Sequence, residues 1–361
     1  MKKKSLYKKL FVTGLASLLF FANTLAQSEV KESPVTVNGF VDFYISKNFN
    51  NPVNHSNKFR NFDITENQLS LNLAEVVIQK AASPVGFRFD LDFGPTTDLV
   101  HTLDGVVNET YKHLQQAYIT AVFPLGNGLT INVGKMVTHM GAEVIETSSN
   151  INYSRSLLFS YAIPYFHTGI CAIYPFSEKL TVSGYLYNGS NRIEDNNTDK
   201  TIGASVSYTP VSGLSLIQNY IGGAEQTNST KKRHIFDSII NYQASDNLLF
   251  IGNIDYGFED ITKDDIAVWN GVALTGRYAM SENIALALRG EVYNDVDGFT
   301  TGIAQKINEL TFTYEYKFYS SLLIRTEFRK DWSAKDVFDG KDGVNTKKNQ
   351  TTLLIGTIYT F

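Results

Sequence analysis

An alternation of apolar and polar residues with period two recurs along most of this chain, and it constrains the fold more than any other feature. In Phe87-Arg88-Phe89-Asp90-Leu91-Asp92-Phe93, one face is Phe, Phe, Leu, Phe and the other Arg, Asp, Asp. Leu69, Leu71 and Leu73 alternate with Ser70 and Asn72. Leu310, Phe312, Tyr314, Tyr316 and Phe318 alternate with Thr311, Thr313, Glu315 and Lys317. Leu322, Ile324, Thr326 and Phe328 alternate with Leu323, Arg325, Glu327 and Arg329. Successive strand side chains point to opposite faces, so each such segment divides two environments.

The pattern predicts about 16 strands. The first half lies near 35–45, 66–80, 84–93, 113–123, 128–136, 165–175, 179–189 and 199–209. The second follows near 213–223, 232–242, 247–258, 266–279, 283–293, 307–319, 321–331 and 350–361; alternation blurs over 113–123 and 266–279. Short links at 81–83, 124–127, 176–178, 210–212, 243–246, 280–282 and 320 alternate with longer ones. The longer ones are 46–61, 94–112, 137–164, 190–198, 224–231, 259–265, 294–306 and 332–349. A sandwich with Greek-key connections has no reason to keep that rhythm. A membrane barrel does, because its turns are tight on one side and looped on the other.

The expected fold is therefore all-β: a closed antiparallel transmembrane β-barrel over 35–361, with short periplasmic turns and longer extracellular loops. Closure is obligatory in lipid, where an open strand edge leaves backbone groups unpaired. Aromatic residues support this reading, with 20 Tyr and 24 Phe in 361 residues. Strands entering short links end on Phe123, Phe176, Tyr208, Tyr242, Tyr278, Phe318 and Phe361, which predicts a girdle at the headgroups. Tyr44, Phe93, Tyr187, Tyr220, Tyr256 and Tyr293 are candidates for the opposite girdle.

The first 26 residues read as a secretory signal peptide: five lysines, an apolar stretch from Leu10 to Ala22, then Thr24-Leu25-Ala26 as a cleavage site. Residues 27–34 would form a short periplasmic segment, too short for a plug domain. Localisation in the outer membrane follows. The five lysines are part of 32 basic residues, so the remaining chain has 27 against 36 acids, a net −9. So acidic a chain is a poor nucleic-acid binder and suggests a mild cation preference. Cys171 has no partner for a disulfide within the chain and falls in an apolar strand.

If apolar faces meet lipid, their polar partners line the lumen. Pore-lining candidates are Arg88, Asp90 and Asp92; Arg289 and Glu291; and Arg325, Glu327 and Arg329. Asp237, Asn241, Asn253 and Asp255 are secondary ones. A barrel of about 16 strands is wide enough to leave an aqueous channel. The 137–164 link is the longest and carries apolar Leu157, Leu158, Phe159, Tyr161 and Ile163, so it should pack against something. Folded inward, it would bring Glu143, Glu146 and Arg155 into the pore as a selectivity element.

Within this region, Leu114-Gln115-Gln116-Ala117-Tyr118-Ile119, Gly134-Lys135 and Gly141-Ala142-Glu143-Val144-Ile145-Glu146 form an ordered set of motifs. Asn152-Tyr153-Ser154-Arg155-Ser156-Leu157-Leu158-Phe159 and Ile163-Pro164-Tyr165-Phe166-His167-Thr168-Gly169 continue it. The set resembles the β-barrel porin-2 (OmpL-like) outer-membrane family over roughly 110–190. Met140 before Gly141, and Gly189-Ser190 after Asn188, depart from that pattern. The resemblance implies an outer-membrane barrel with porin activity and assigns no catalytic residue.

The expected function is passive diffusion of small hydrophilic solutes through a water-filled barrel. The expected surroundings are outer-membrane lipid and lipopolysaccharide, the latter within reach of Lys231-Lys232-Arg233; monomer and homo-oligomer stay open. An adhesin or structural barrel is the first alternative. An outer-membrane hydrolase is the second, since His139, Ser148, Asn152, Ser154, Ser156 and His167 lie close in sequence, but they show no nucleophile–base spacing. No cofactor or metal motif is present. Gly134-Lys135 lacks the phosphate-loop spacing, and the Asp/Asn clusters at 194–199 and 336–345 lack the closing Glu of a calcium loop.

Overall fold

The computed structural model describes residues 33–102, 104, 110–262 and 264–361. The expected signal peptide, 1–26, lies outside the described residues, as does most of 27–34. Eight strands make the first half: β1 (Val35–Asn48), β2 (Leu69–Lys80), β3 (Val85–Phe93), β4 (Leu114–Phe123), β5 (Leu129–Val137), β6 (Phe166–Ser177), β7 (Leu180–Tyr187) and β8 (Thr201–Val211). The second half has β9 (Leu214–Ala224), β10 (Lys232–Ser245), β11 (Leu248–Asp260), β12 (Ile266–Ala279), β13 (Ile284–Asp295), β14 (Gln305–Tyr319) and β15 (Leu322–Ser333). After a small hairpin, β16 (Phe338–Gly340) with β17 (Gly343–Lys347), the chain ends on β18 (Asn349–Thr360).

All strands but that hairpin pair antiparallel with their neighbours and close into one barrel of 16 strands. The seam is β1 on β18, from Phe40 opposite Thr360 to Asn48 opposite Thr352. Gly39 and Phe361 exchange main-chain hydrogen bonds of 3.1 and 3.0 Å beyond it. The two segments with blurred alternation, β4 and β12, are strands like the rest. Among the described residues no helix is long and apolar enough to cross a membrane.

The period-two pattern sorts side chains as a membrane barrel requires. On β14, Leu310, Phe312 and Tyr314 are exposed on the outer surface, while Glu309, Thr311 and Thr313 are buried within. Phe176, Tyr208, Tyr242, Tyr278, Phe318 and Phe361 ring the short-turn end, exposed outward. At the long-loop end the expected girdle is only partial. Phe93 and Tyr256 face outward, but Tyr44, Tyr187 and Tyr293 are buried inside the barrel. Tyr293 shares the strand parity of Arg289 and Glu291, so its inward aim follows from its neighbours. Leu73 also departs from expectation. A bulge leaves Asn72 unpaired between Asp42–Leu73 and Phe43–Leu71. The extra residue flips the parity and turns Leu73 inward, wholly buried.

The outward face can be tested at Ile254, mid-way along β11 and half exposed at 50%. Ile254→Arg is expected to destabilise the barrel by about 2–4 kcal/mol in lipid vesicles, the cost of a cation at the bilayer midplane. Urea unfolding measures it; a change within about 0.5 kcal/mol, typical of a water-exposed site, would contradict the outward assignment.

Candidate functional site

The long link over residues 138–165 enters the barrel, bringing a stretch of backbone with few ladder bonds of its own. Each peptide group taken from water needs a partner there. The inner faces of β13 and β15 supply many of them. Glu291 accepts the amides of Leu157 and Leu158 at 2.7 and 2.6 Å. Glu327 accepts those of Tyr153 and Ser154 at 2.8 and 3.1 Å. Guanidiniums serve the carbonyls: Arg289 donates to Ser154 at 2.9 Å, Arg329 to Arg155 at 2.6 Å and Arg325 to Thr147 at 2.8 Å. Farther round the wall, Asp237 and Asn253 accept the amides of Gly141 and Ala142 at 2.8 and 3.1 Å.

These wall charges also pair with one another. Arg289 contacts Glu309 at 3.1 Å, Arg325 contacts Glu315 at 2.9 Å and Arg329 contacts Asp331 at 2.8 Å. The segment is held as a docked element, because charge-assisted hydrogen bonds are strong and directional. Two wall glycines admit its side chains. A Cβ on Gly356 would stand 2.2 Å from the Tyr153 ring, and one on Gly271 would stand 2.7 Å from Leu158 Cδ2.

The pore-lining candidates therefore separate into groups. Asp90, Asp92, Arg289, Glu291, Arg325, Glu327 and Arg329 are buried inside the barrel, and Arg88 is half-buried. Asp237, Asn253 and Asp255 are buried inside as well, and Asn241 is half-buried. Glu143 reaches Arg289 at 2.8 Å and with it lines a narrow cavity of about 60 Å³. Arg155 has another role. It is 1% exposed and donates to the carbonyls of Val144, Ile145 and Tyr153, so it ties the link to itself and faces no open passage.

A second inserted segment escaped the sequence reading. Phe59, Arg60, Asn61, Phe62 and Asp63, from the link between β1 and β2, are buried inside the long-loop end. Arg60 bridges Asp63 at 2.6 Å and Asp331 at 2.9 Å. Phe62 packs edge-on against Phe159 with ring centres 5.8 Å apart, and the Arg155 guanidinium lies 5.2 Å from the Phe62 ring centre. The signal was present: two aromatics flanking an Arg-Asn pair fit a solvated loop poorly.

Space remains above and below this packing. Toward the long loops, a cavity of about 490 Å³ is lined by Asn61, Tyr161, Tyr165, Arg233, Trp269 and Phe299. Toward the short turns, one of about 340 Å³ is lined by Asn150, Arg277, Glu315, Lys317, Arg325 and Thr360. The narrow Glu143–Arg289 cavity, which also touches Asn253 and Thr275, lies at the height between them. Each volume exceeds the roughly 10–15 Å³ that one water requires.

Of the residues weighed as hydrolytic, Ser154, Ser156, His139 and His167 are engaged elsewhere. Ser154 Oγ meets Arg289 and Arg329, and Ser156 Oγ caps the amide of Phe159. His167 bonds the Gly189 carbonyl and the Thr138 hydroxyl, while His139 bonds the Tyr220 carbonyl. No Ser–His pair forms among the described residues. Of the basic run, Lys232 pairs with Asp199 and Arg233 with Glu259, and Arg233 lies over Trp269 and Phe299; only Lys231 is simply exposed.

Residues 34–361 match the model of a family described as putative beta-barrel porin-2, OmpL-like. No curated protein sequence matches the chain. Among solved structures, an anion-selective porin from Comamonas acidovorans superposes with a TM-score of 0.66 at 12% identity, over 91% of this chain and 100% of that one. The outer-membrane channel DcaP of Acinetobacter baumannii gives 0.61 at 13%, over 92% and 99%. OmpT of Vibrio cholerae, in its trimer form, gives 0.59 at 12%, over 91% and 99%. At such identity the likeness is one of fold.

The docking of 138–165 is tested by removing its acceptors. Glu291→Ala with Glu327→Ala leaves four amides without partners, each at a cost of about 1–3 kcal/mol. Amide exchange at 153, 154, 157 and 158 should then accelerate strongly, and trypsin should cut after Arg155. Exchange and cleavage as slow as in the wild type would show that other contacts hold the segment.

Proposed function

Because the chain belongs to the β-barrel porin-2, OmpL-like family, we propose that it is a diffusion channel for small hydrophilic solutes whose size limit is set by residues 138–165. It is an outer-membrane β-barrel porin and not an enzyme. One observation carries the reading: a barrel apolar outside and charged within keeps water-sized space toward both mouths, separated by the Glu143–Arg289 narrowing. A transverse field between an acid and a base at a narrow point favours polar solutes that orient in it and disfavours apolar ones.

The proposal includes a cleaved signal over 1–26, short turns toward the periplasm and long loops outside. The trimer form of the Vibrio OmpT barrel makes a homotrimer the assembly to test by cross-linking. A structural barrel without transport is the second reading, favoured by how completely Tyr153, Arg155, Leu157, Leu158 and Phe159 fill the middle of the lumen.

Planar-bilayer recording of the refolded protein separates the two. The channel reading expects small stepwise conductance, raised severalfold when 141–157 is replaced by a short Gly/Ser linker, as an unobstructed barrel of this strand number implies. Glu143→Gln should move the reversal potential toward anions, because it removes an acid from the narrowing. A wild-type barrel that is silent while the shortened variant conducts would favour the structural reading.

A further inference from the structure

On another stretch of wall, four carboxylates converge: Glu75 from β2, Asp90 and Asp92 from β3, and Glu146 from the inserted segment. One oxygen each from Glu75, Asp90 and Glu146 lies within 4.8 Å of the other two. Asp92 stands directly across the strand pair from Glu75 and within electrostatic reach of Glu146. Asp92 is 0% exposed, and among the described residues no N–H or hydroxyl donor reaches either of its oxygens or Glu75 Oε2; their close polar neighbour is each other's carboxyl group. Beside Asp90, a bulge between β3 and β4 leaves Gln115 as the extra residue. Its side chain is wholly buried with both amide atoms unpaired among the described residues.

Three cations lie within electrostatic reach, Arg88, Lys135 and Arg155, and Arg155 is engaged by the carbonyls of its own segment. Arg88 Nε bonds both oxygens of Asp90 at 2.8 and 3.0 Å. The Lys135 ammonium is directed to His101 at 2.7 Å and to the Leu114 carbonyl at 2.6 Å. Four acids so enclosed repel one another until protons or a cation neutralise them, and a cation of high charge competes well for such a cluster. The donors are all hard oxygens, which suit a hard cation. Calcium takes 6–8 oxygens at about 2.3–2.6 Å, so its opposite ligands stand about 4.6–5.2 Å apart. Oxygens within 4.8 Å of one another can share that sphere, and an irregular carboxylate set suits calcium better than magnesium, which demands near-ideal octahedral geometry.

We propose that Glu75, Asp90, Asp92 and Glu146 form a calcium site inside the barrel that fastens the inserted segment to β2 and β3. Glu146 immediately precedes the short turn Thr147–Ser149, which Arg325 already holds through the carbonyls of Thr147 and Asn150. With the ion bound, that turn is fixed from two stretches of wall. The site deepens the channel reading, since the ion would stabilise the segment that narrows the pore, but the binding itself does not depend on transport.

The test is calcium titration by calorimetry of the full-length barrel, refolded in detergent and stripped with EDTA. One saturable site per barrel is expected, with Kd below about 1 mM and magnesium weaker by about tenfold or more. Glu146→Gln, which changes no strand residue, should weaken calcium by at least about tenfold, and Asp92→Asn likewise. Heat-modifiable gel mobility verifies that each variant is folded. The absence of saturable binding by folded wild type overturns the proposal. Binding untouched by both substitutions also overturns it, and would place the ion in the outer Asp/Asn loops. Because calorimetry reads no transport, a barrel silent in a bilayer would count against the channel reading alone.

Discussion

A chain segment inside a β-cylinder must find partners for its own peptide groups, and the rest of this structure follows from how it does so. Strand backbones satisfy each other around the closed barrel, but residues 138–165 belong to no ladder. The wall answers with carboxylates for N–H groups and guanidiniums for carbonyls, most densely on β13 and β15. Buried ion pairs such as Arg289–Glu309 and Arg329–Asp331 are a weak source of net stability, because desolvation offsets much of the attraction. Their contribution here is placement. An apolar wall would leave the same amides and carbonyls unpaired, and the segment would have no reason to enter.

Placement in turn shapes the pore. The wall acids and bases that look like free selectivity groups are largely committed to main-chain atoms. The charged groups that line the narrow point are Glu143 and Arg289, among neutral polar neighbours such as Asn152, Asn253 and Thr275. Above it, the aromatic contacts of Phe59 and Phe62 with the inserted segment form a compact core within the long-loop half of the barrel. Space large enough for water is left toward both mouths. The proposed channel would discriminate by size and polarity at this one short constriction.

Much of the fold was legible because period two is a strong signal when one face meets lipid and the other water. Strand positions, the short–long rhythm and the inward aim of Arg289, Glu291, Arg325, Glu327 and Arg329 all come from it. What it does not carry is context. Tyr44, Tyr187 and Tyr293 were assigned by their height along the strand, and parity overruled height. Leu73 was assigned by parity, and a single bulged residue reversed it. Arg155 was read as a pore charge because alternation says nothing about which charges meet solvent and which meet a carbonyl. The entry of Phe59–Asp63 and the gathering of Glu75, Asp90, Asp92 and Glu146 depend on contacts between segments far apart in sequence, which no local pattern encodes.

As a channel, the barrel must leave a continuous wet path through its packed interior from one face of the membrane to the other. Swelling of liposomes containing the refolded barrel, in a series of uncharged polyols and sugars of rising size, measures this directly. The account predicts rapid swelling with the smallest polyols and a sharp fall as solutes outgrow the Glu143–Arg289 narrowing. Liposomes with correctly folded barrels that swell no faster than empty ones, even in the smallest polyol, would contradict it.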